Sequence, residues 1–146
     1  MQFEPSLAAG RRDVLPAIVT GIVQESHDTR SFLIEFPAVG WTYEAGQHLT
    51  LVVPQPDGTL SRSYSFSSAP EVDGTPTLTV RRVAGGRVSN WLHERVAIGS
   101  VLQVQKPSGE FTLTPGTSAP LLLLGAGSGI SPLLSLLKAA LVRTRR

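Results

Sequence analysis

The sequence has no cysteine, a single methionine, and aromatic side chains at only 6% of its 146 positions. Without a thiol the chain can form no disulfide, no thiolate metal site and no cysteine-held iron-sulfur cluster, so redox chemistry would have to come from a bound organic cofactor. It also lacks an excess of one charge. Thirteen Lys and Arg against 11 Asp and Glu leave +2, and the basic residues stand in pairs (Arg11 and Arg12, Arg81 and Arg82, Arg145 and Arg146) and not in runs. Nucleic acid is therefore not the expected partner. The three histidines, His27, His48 and His93, are scattered, which gives no metal-ligand spacing, and no nucleophile triad or acid-base pair is evident. The first residues include Glu4 and Pro5 and no apolar core of signal-peptide length, so a cytoplasmic protein is expected. Phe111 to Leu137 carries no charge, but Pro115, Gly116, Pro120 and the turn at 125–132 interrupt any membrane span there.

What the chain does have is 41% hydrophobic residues, enough for a core, with 14 Gly and 11 Pro distributed as turn punctuation. β-Branched or alternating runs lie at 16–26, 30–37, 47–54, 59–66, 75–83 and 100–107. Short connections such as "HDT" and "QPDG" make the first two and the next two into hairpins. Six strands so connected predict a mainly β fold, a six-stranded antiparallel Greek-key barrel. Between the last two strands, "GGRVSNWLHERV" (85–96) places Val88, Trp91, Leu92 and Val96 at helical spacing behind a glycine turn, which predicts a short capping helix.

"TPGTSAP" (114–120) reads as a linker, giving a first domain at 1–114 and a second unit at 115–146. There "PLLLLG" is a continuous apolar run, as in a strand buried on both faces of a parallel sheet, leading through "AGSGI" into a helix. Ser131 would cap that helix and Pro132 open it. Leu133, Leu136, Leu137 and Leu141 form an apolar stripe that should seek the barrel, a second copy or another partner.

The chemistry concentrates in two places. In "SRSYSFSS" the pleat puts Arg62, Tyr64 and Phe66 on one face and Ser63, Ser65 and Ser67 on the other. This is either an exposed strand with an aromatic ladder or a cofactor site. In the second case the guanidinium grips a diphosphate, the aromatic offers a stacking face and a hydroxyl bonds a ring nitrogen. In "GGRVSNW" a glycine turn ahead of a helix leaves backbone N–H groups for an anion. Ser89 could join them or serve only as a cap.

Taken with "YEAGQHLTL" (43–51), "LTVRRVAGGRVSNWLH" (78–93), "GEF" (109–111) and "GAGSGISP" (125–132), these motifs resemble, in order and spacing, the FAD-binding domain of the ferredoxin-NADP reductase superfamily. The likeness is to bacterial reductases that feed oxygenases and desaturases, often with a fused plant-type ferredoxin domain. It covers nearly the whole chain and stops early in the NAD(P)-binding domain.

The resemblance implies FAD as cofactor, NAD(P)H as hydride donor and an iron-sulfur or haem protein, or an oxygenase, as electron acceptor. It implies that Arg62 binds the pyrophosphate, with Ser63 in the same flavin-contacting segment. Tyr64 would pack on the isoalloxazine, and Ser65 would approach N5, which places Tyr64 and Ser65 at the reacting centre. Because the pleat opposes those two, the strand has to end, twist or bulge at Ser65. Val80, Arg81 and Arg82 would contact flavin or phosphate, although alternation lets only one arginine face the ligand. Gly86, Val88 and Ser89 would hold the pyrophosphate. Gly125, Gly127, Gly129 and Ser131 would contact the nicotinamide nucleotide, with Pro132 fixing the turn.

That last loop is no standard dinucleotide fingerprint. Ile130 stands at the third-glycine position, and the acidic residue expected roughly twenty residues on has no chain to sit in. No Gly-Lys-Ser or Gly-Lys-Thr makes it a phosphate-binding P-loop either. A flavin module with an incomplete NAD(P)H site is thus the expectation. A cofactor-free β-barrel scaffold and a single-strand nucleic-acid barrel, the latter short of grouped aromatics and positive charge, are the alternatives.

Overall fold

The computed structural model describes residues 14–37, 40–116 and 119–143. β1 (Val14–Gln24) and β2 (Thr29–Glu35) form the first hairpin, and β3 (His48–Gln55) and β4 (Gly58–Ser65) the second. β5 (Thr77–Arg81), helix α1 (Arg87–Arg95) and β6 (Val101–Gln105) follow. A 3-10 turn at Gly127–Gly129 then leads into α2 (Ile130–Arg143). All strand pairs are antiparallel and the order is β4-β3-β6-β1-β2-β5, so β6 inserts between the two hairpins, as Greek-key connections require.

Alternation builds the core. Ala17 and Val19, Phe32 and Ile34, Leu49 and Leu51, Leu78 and Val80, and Leu102 and Val104 alternate with more exposed or polar neighbours and meet in one buried cluster. A bulge between Val19 and Gly21 shifts the β1–β2 register and bends the sheet. The two edge strands then come together at a single bridge, Phe66 to Leu78, supported by Ser67 N–H donating to Thr77 O at 3.0 Å. Beyond that bridge β4 and β5 are not paired, and α1 lies over this end with Val88 and Leu92 buried in the same core.

The second unit departs from expectation. Residues 120–126 form no strand, and Leu121, Leu122 and Leu124 are exposed. A doubly buried parallel strand needs neighbours on both edges and both faces, and no described residues supply them. Nor does Ser131 occupy the cap. Ile130 N–H bonds Gly127 O, so the 3-10 turn runs directly into α2 and leaves Ser131 and Pro132 inside the first helical turn.

The apolar stripe does find the barrel, on one side only. Leu136 and Ala139 are buried against Ala45 and Ala69, with Leu133 alongside, while Leu137 and Leu141 stay exposed. Polar contacts fix the same face. Ser135 Oγ donates to Ser68 O (2.6 Å) and accepts from Gly46 N–H (3.2 Å), Lys138 Nζ lies 2.9 Å from Asp73, and Arg143 lies 2.7 Å from Glu71. Gly46 has to be glycine: its φ is +93°, and a Cβ there would fall 1.9 Å from Phe111 O. Among the described residues no helix is long and apolar enough to cross a membrane.

Candidate functional site

β4 has no neighbour on its outer edge, and the register decides what hangs there. Arg62 pairs with Leu51 and Tyr64 with Leu49, so both share the face of buried leucines but lie where the sheet has run out of strands. The Arg62 guanidinium is exposed, donates to Ser61 O (2.8 Å) and has no carboxylate partner among the described residues. The Tyr64 ring packs on the core, half-buried. Burial pushes its phenol above the usual range, and the positive charge of Arg62 offsets part of that rise. On the opposite face Ser63 Oγ bonds Thr50 Oγ1 at 2.8 Å, so this hydroxyl serves the β3–β4 ladder and not the Arg62 side.

Ser65 is the last residue of β4, and the expected break in the strand falls there. Phe66 next enters the core, stacked on Tyr43 at 4.1 Å, and bridges to β5. The Ser65 hydroxyl, half-buried, has no hydrogen-bond partner among the described residues. Behind it the Tyr43 hydroxyl lies 2.6 Å from Ser68 Oγ, and burial pushes the Tyr43 phenol up to about 12, so it stays protonated.

Across the gap, Val80 is buried and its carbonyl accepts from His93 Nε2 at 3.0 Å. The arginine pair splits as alternation requires, but both ends are taken. Arg81 Nε donates to Asp28 at 2.7 Å, in the β1–β2 turn. Arg82 Nε donates to Asn90 Oδ1 at 2.6 Å and its outer nitrogen to Glu94, both on α1. Arg81, with the Ser26 and Thr29 hydroxyls, holds the Asp28 carboxyl well below the ordinary carboxylate range. Asp28 is the middle residue of the connection "HDT", and nothing in the sequence singles out Asn90 or Glu94 as partners of an arginine. The only signal was their i, i+4 spacing on one face of α1. An open depression of about 580 Å³ lies here, lined by Asp28, Arg82, Val83, Ala84, Gly85, Asn90 and Glu94.

The glycine turn behaves as its sequence suggests. Gly85 has φ +71°, and Gly86 caps α1 without a side-chain hydrogen bond. Ser89 is the third residue of α1 and not its cap: its Oγ accepts from Val83 N–H (3.2 Å) and donates to Gly86 O (3.4 Å), which ties the glycine turn to the helix. A Cβ on Gly86 would lie 2.5 Å from that hydroxyl. Val88 is in the core, which leaves it only a backbone N–H to offer. The first-turn amides of α1 have no intrahelical acceptor.

Arg62, Tyr64 and Ser65 thus line one side of the opening between the sheet's two edge strands. Val80 and Arg81 lie on the other, and Gly86, Val88 and Ser89 start the helix that crosses it. The loop with Gly125, Gly127, Gly129, Ser131 and Pro132 is apart from this group. It is an exposed turn with Gly127 at φ +56°, closed by Gly129 N–H on Ala126 O at 3.1 Å, and no hydrogen bond among the described residues links it to Arg62, Tyr64 or Ser89.

The opening suits an anionic, partly aromatic ligand. Among the described residues it offers a guanidinium with no carboxylate partner, a helix start with no side-chain cap, and an aromatic ring and a serine whose hydroxyls have no hydrogen-bond partner. No group of His, Asp or Glu placed to hold a metal occurs among the described residues. Residues 16–113 match the family model described as oxidoreductase FAD-binding domain. The chain is 41% identical over 138 residues to the ferredoxin reductase component of 3-ketosteroid-9-alpha-monooxygenase from Rhodococcus rhodochrous, covering 92% of this chain and 39% of that protein. It is similar in structure to the cytochrome P450 reductase GcoB of Amycolatopsis, with TM-score 0.76 and 32% identity over 90% of this chain and 40% of that one. A ferredoxin NADP+ reductase from Neisseria gonorrhoeae with bound FAD and NADP superposes with TM-score 0.74 and 25% identity, over 91% of this chain and 54% of that one. The chain spans roughly two fifths to one half of the length of these relatives. Because the family model accounts for well over half of the sequence, the chain belongs to the oxidoreductase FAD-binding domain family.

Proposed function

We propose that this chain is the flavin module of an NAD(P)H-dependent oxidoreductase, with FAD held in the opening between β4 and β5. The observation that carries the reading is the outer rim of β4, where Arg62 presents a cation with no carboxylate partner among the described residues, Tyr64 a half-buried ring and Ser65 a hydroxyl with no hydrogen-bond partner among them. When bound, FAD would supply the two-electron to one-electron chemistry that the protein's own side chains lack.

Each residue has a definable task. Arg62 grips the diphosphate from one side, and the amides of Val88 and Ser89 behind Gly86 bind it from the other. Ser63 and Val80 act through their backbone, since one side chain bonds β3 and the other is buried. The Tyr64 ring forms the apolar floor for the isoalloxazine, and the Ser65 hydroxyl meets the edge of that ring. Arg81 and Arg82 shape the far wall through Asp28, Asn90 and Glu94, and either would reach a phosphate only by leaving its carboxylate.

In this reading residues 1–114 are the flavin domain and 115–146 begin a nucleotide-binding unit. Gly125, Gly127, Gly129, Ser131 and Pro132 are its share of an NAD(P)H site that this stretch does not complete. The 146-residue chain by itself should therefore bind FAD yet turn over NAD(P)H poorly. The acceptor would be an iron-sulfur or haem protein, in keeping with the oxygenase and P450 systems named for its relatives. The exposed Leu137 and Leu141 would dock on further protein or a second copy.

The test is uptake of FAD by the apoprotein, read as flavin absorbance retained through gel filtration. Arg62→Ala should weaken binding about tenfold to a hundredfold, the worth of charged hydrogen bonds, without lowering the melting temperature of the flavin-free chain. A colourless wild-type chain would favour a cofactor-free scaffold instead.

A further inference from the structure

The turn between β3 and β4 is closed by the pair Gln55 and Gly58, which leaves Pro56 and Asp57 at its tip. Gly58 has φ +135° and no non-glycine residue among those described has a positive φ, so Asp57 is not required by the turn's backbone conformation. Its carboxylate is also gripped by a residue thirty positions on. Arg87 places its two outer nitrogens on the two Asp57 oxygens, at 2.6 and 3.2 Å, and one of them also reaches Gln55 Oε1 at 3.2 Å. This forked pairing, with a smaller contribution from Asp57's own backbone N–H, holds the Asp57 carboxyl below its ordinary range.

Arg87 is the first residue of α1 and directly follows Gly86. Further along the same helix Arg82, just past the end of β5, holds Asn90 and Glu94. The helix is therefore fastened at both sides of the gap it crosses, to β5 by Arg82 and to the β3–β4 turn by Arg87. Exposed ion pairs add little to folding. What this one restrains is the separation between β4, which carries Arg62, and the helix start, which carries the free amides.

We infer that Asp57 and Gln55 are positioning residues for the flavin groove: through Arg87 they clasp the start of α1 to the β3–β4 turn and set how fast bound flavin escapes. The inference rests on the cofactor reading above. FAD held between Arg62 and α1 leaves when those walls part, and the clasp is the side-chain link that spans them from the open side.

The experiment is FAD release from the loaded 146-residue chain into excess apo-scavenger, followed by recovered flavin fluorescence. Alongside it the melting temperature of each flavin-free protein is measured. Asp57→Ala and Arg87→Ala should each speed release by roughly twofold to fivefold. The double variant should add nothing to either single, and the swap Asp57→Arg with Arg87→Asp should bring release back toward wild type. Raising KCl should speed release from wild type more than from the double variant, and the flavin-free melting temperatures should stay together. Release at the wild-type rate in both single variants overturns the inference, and so do multiplicative effects in the double variant. A wild-type chain that takes up no flavin overturns the cofactor reading and this inference with it.

Discussion

The barrel and the segment after it use similar residues to opposite effect. In the barrel the inward positions of the strands recur at every second residue and find a strand across from them, so Leu49, Leu51, Leu78 and Leu102 are all buried. In residues 120–143 leucine is denser, yet Leu121, Leu122, Leu124, Leu134, Leu137 and Leu141 are exposed. Hydrophobicity alone does not bury a residue. It needs a second surface at the right period, and α2 obtains one only along Ser135, Leu136 and Ala139.

The contrast breaks most sharply at Phe66, which is fully buried where β4 meets β5. Phe66→Ala should cost about 3–5 kcal/mol in urea unfolding, while Leu122→Ser should stay within about 0.5 kcal/mol of wild type. Equal costs would mean that the tail is packed far more tightly than its exposure indicates. A second pair of variants probes the seam between the regions. Gly46→Ala places a methyl on the Phe111 carbonyl and beside Leu136, and with its positive φ should lose at least about 3 kcal/mol. Gly58→Ala has open space around it and should lose only about 1–2 kcal/mol of backbone strain. Thermal melts of the two separate a steric joint from a conformational preference.

The same contrast explains what the sequence could and could not reveal. All six strands were legible because alternation is a local signal, and the break at Ser65 followed from requiring Tyr64 and Ser65 to serve one ligand. Periodicity names no partners, however. It could not tell that Phe66 and Leu78 bring the sheet's edges together, or that Arg81 and Arg82 are claimed by Asp28, Asn90 and Glu94. The clasp from Arg87 to Asp57 was equally hidden, since thirty residues separate its two halves. "PLLLLG" misled for the converse reason. A short apolar run fits a buried strand only where neighbouring strands exist, and periodicity does not report neighbours.

The smallest effect concerns Asp28, whose contact with Arg81 joins the β1–β2 turn to the end of β5 and so borders the proposed groove from the barrel side. Because its folded pKa is depressed, the stabilisation from this carboxylate is fully present above the unfolded value of about 4. It declines as pH falls from there toward the folded value, and is gone below it. Asp28→Asn removes the titrating group, so its stability should fall less steeply than that of wild type as pH drops below the unfolded value of about 4. At neutral pH it should be slightly less stable. Urea unfolding at a series of pH values from neutral downward measures both. Parallel acid limbs for the two proteins would mean that Asp28 titrates normally, and that Arg81 is free to turn toward a phosphate.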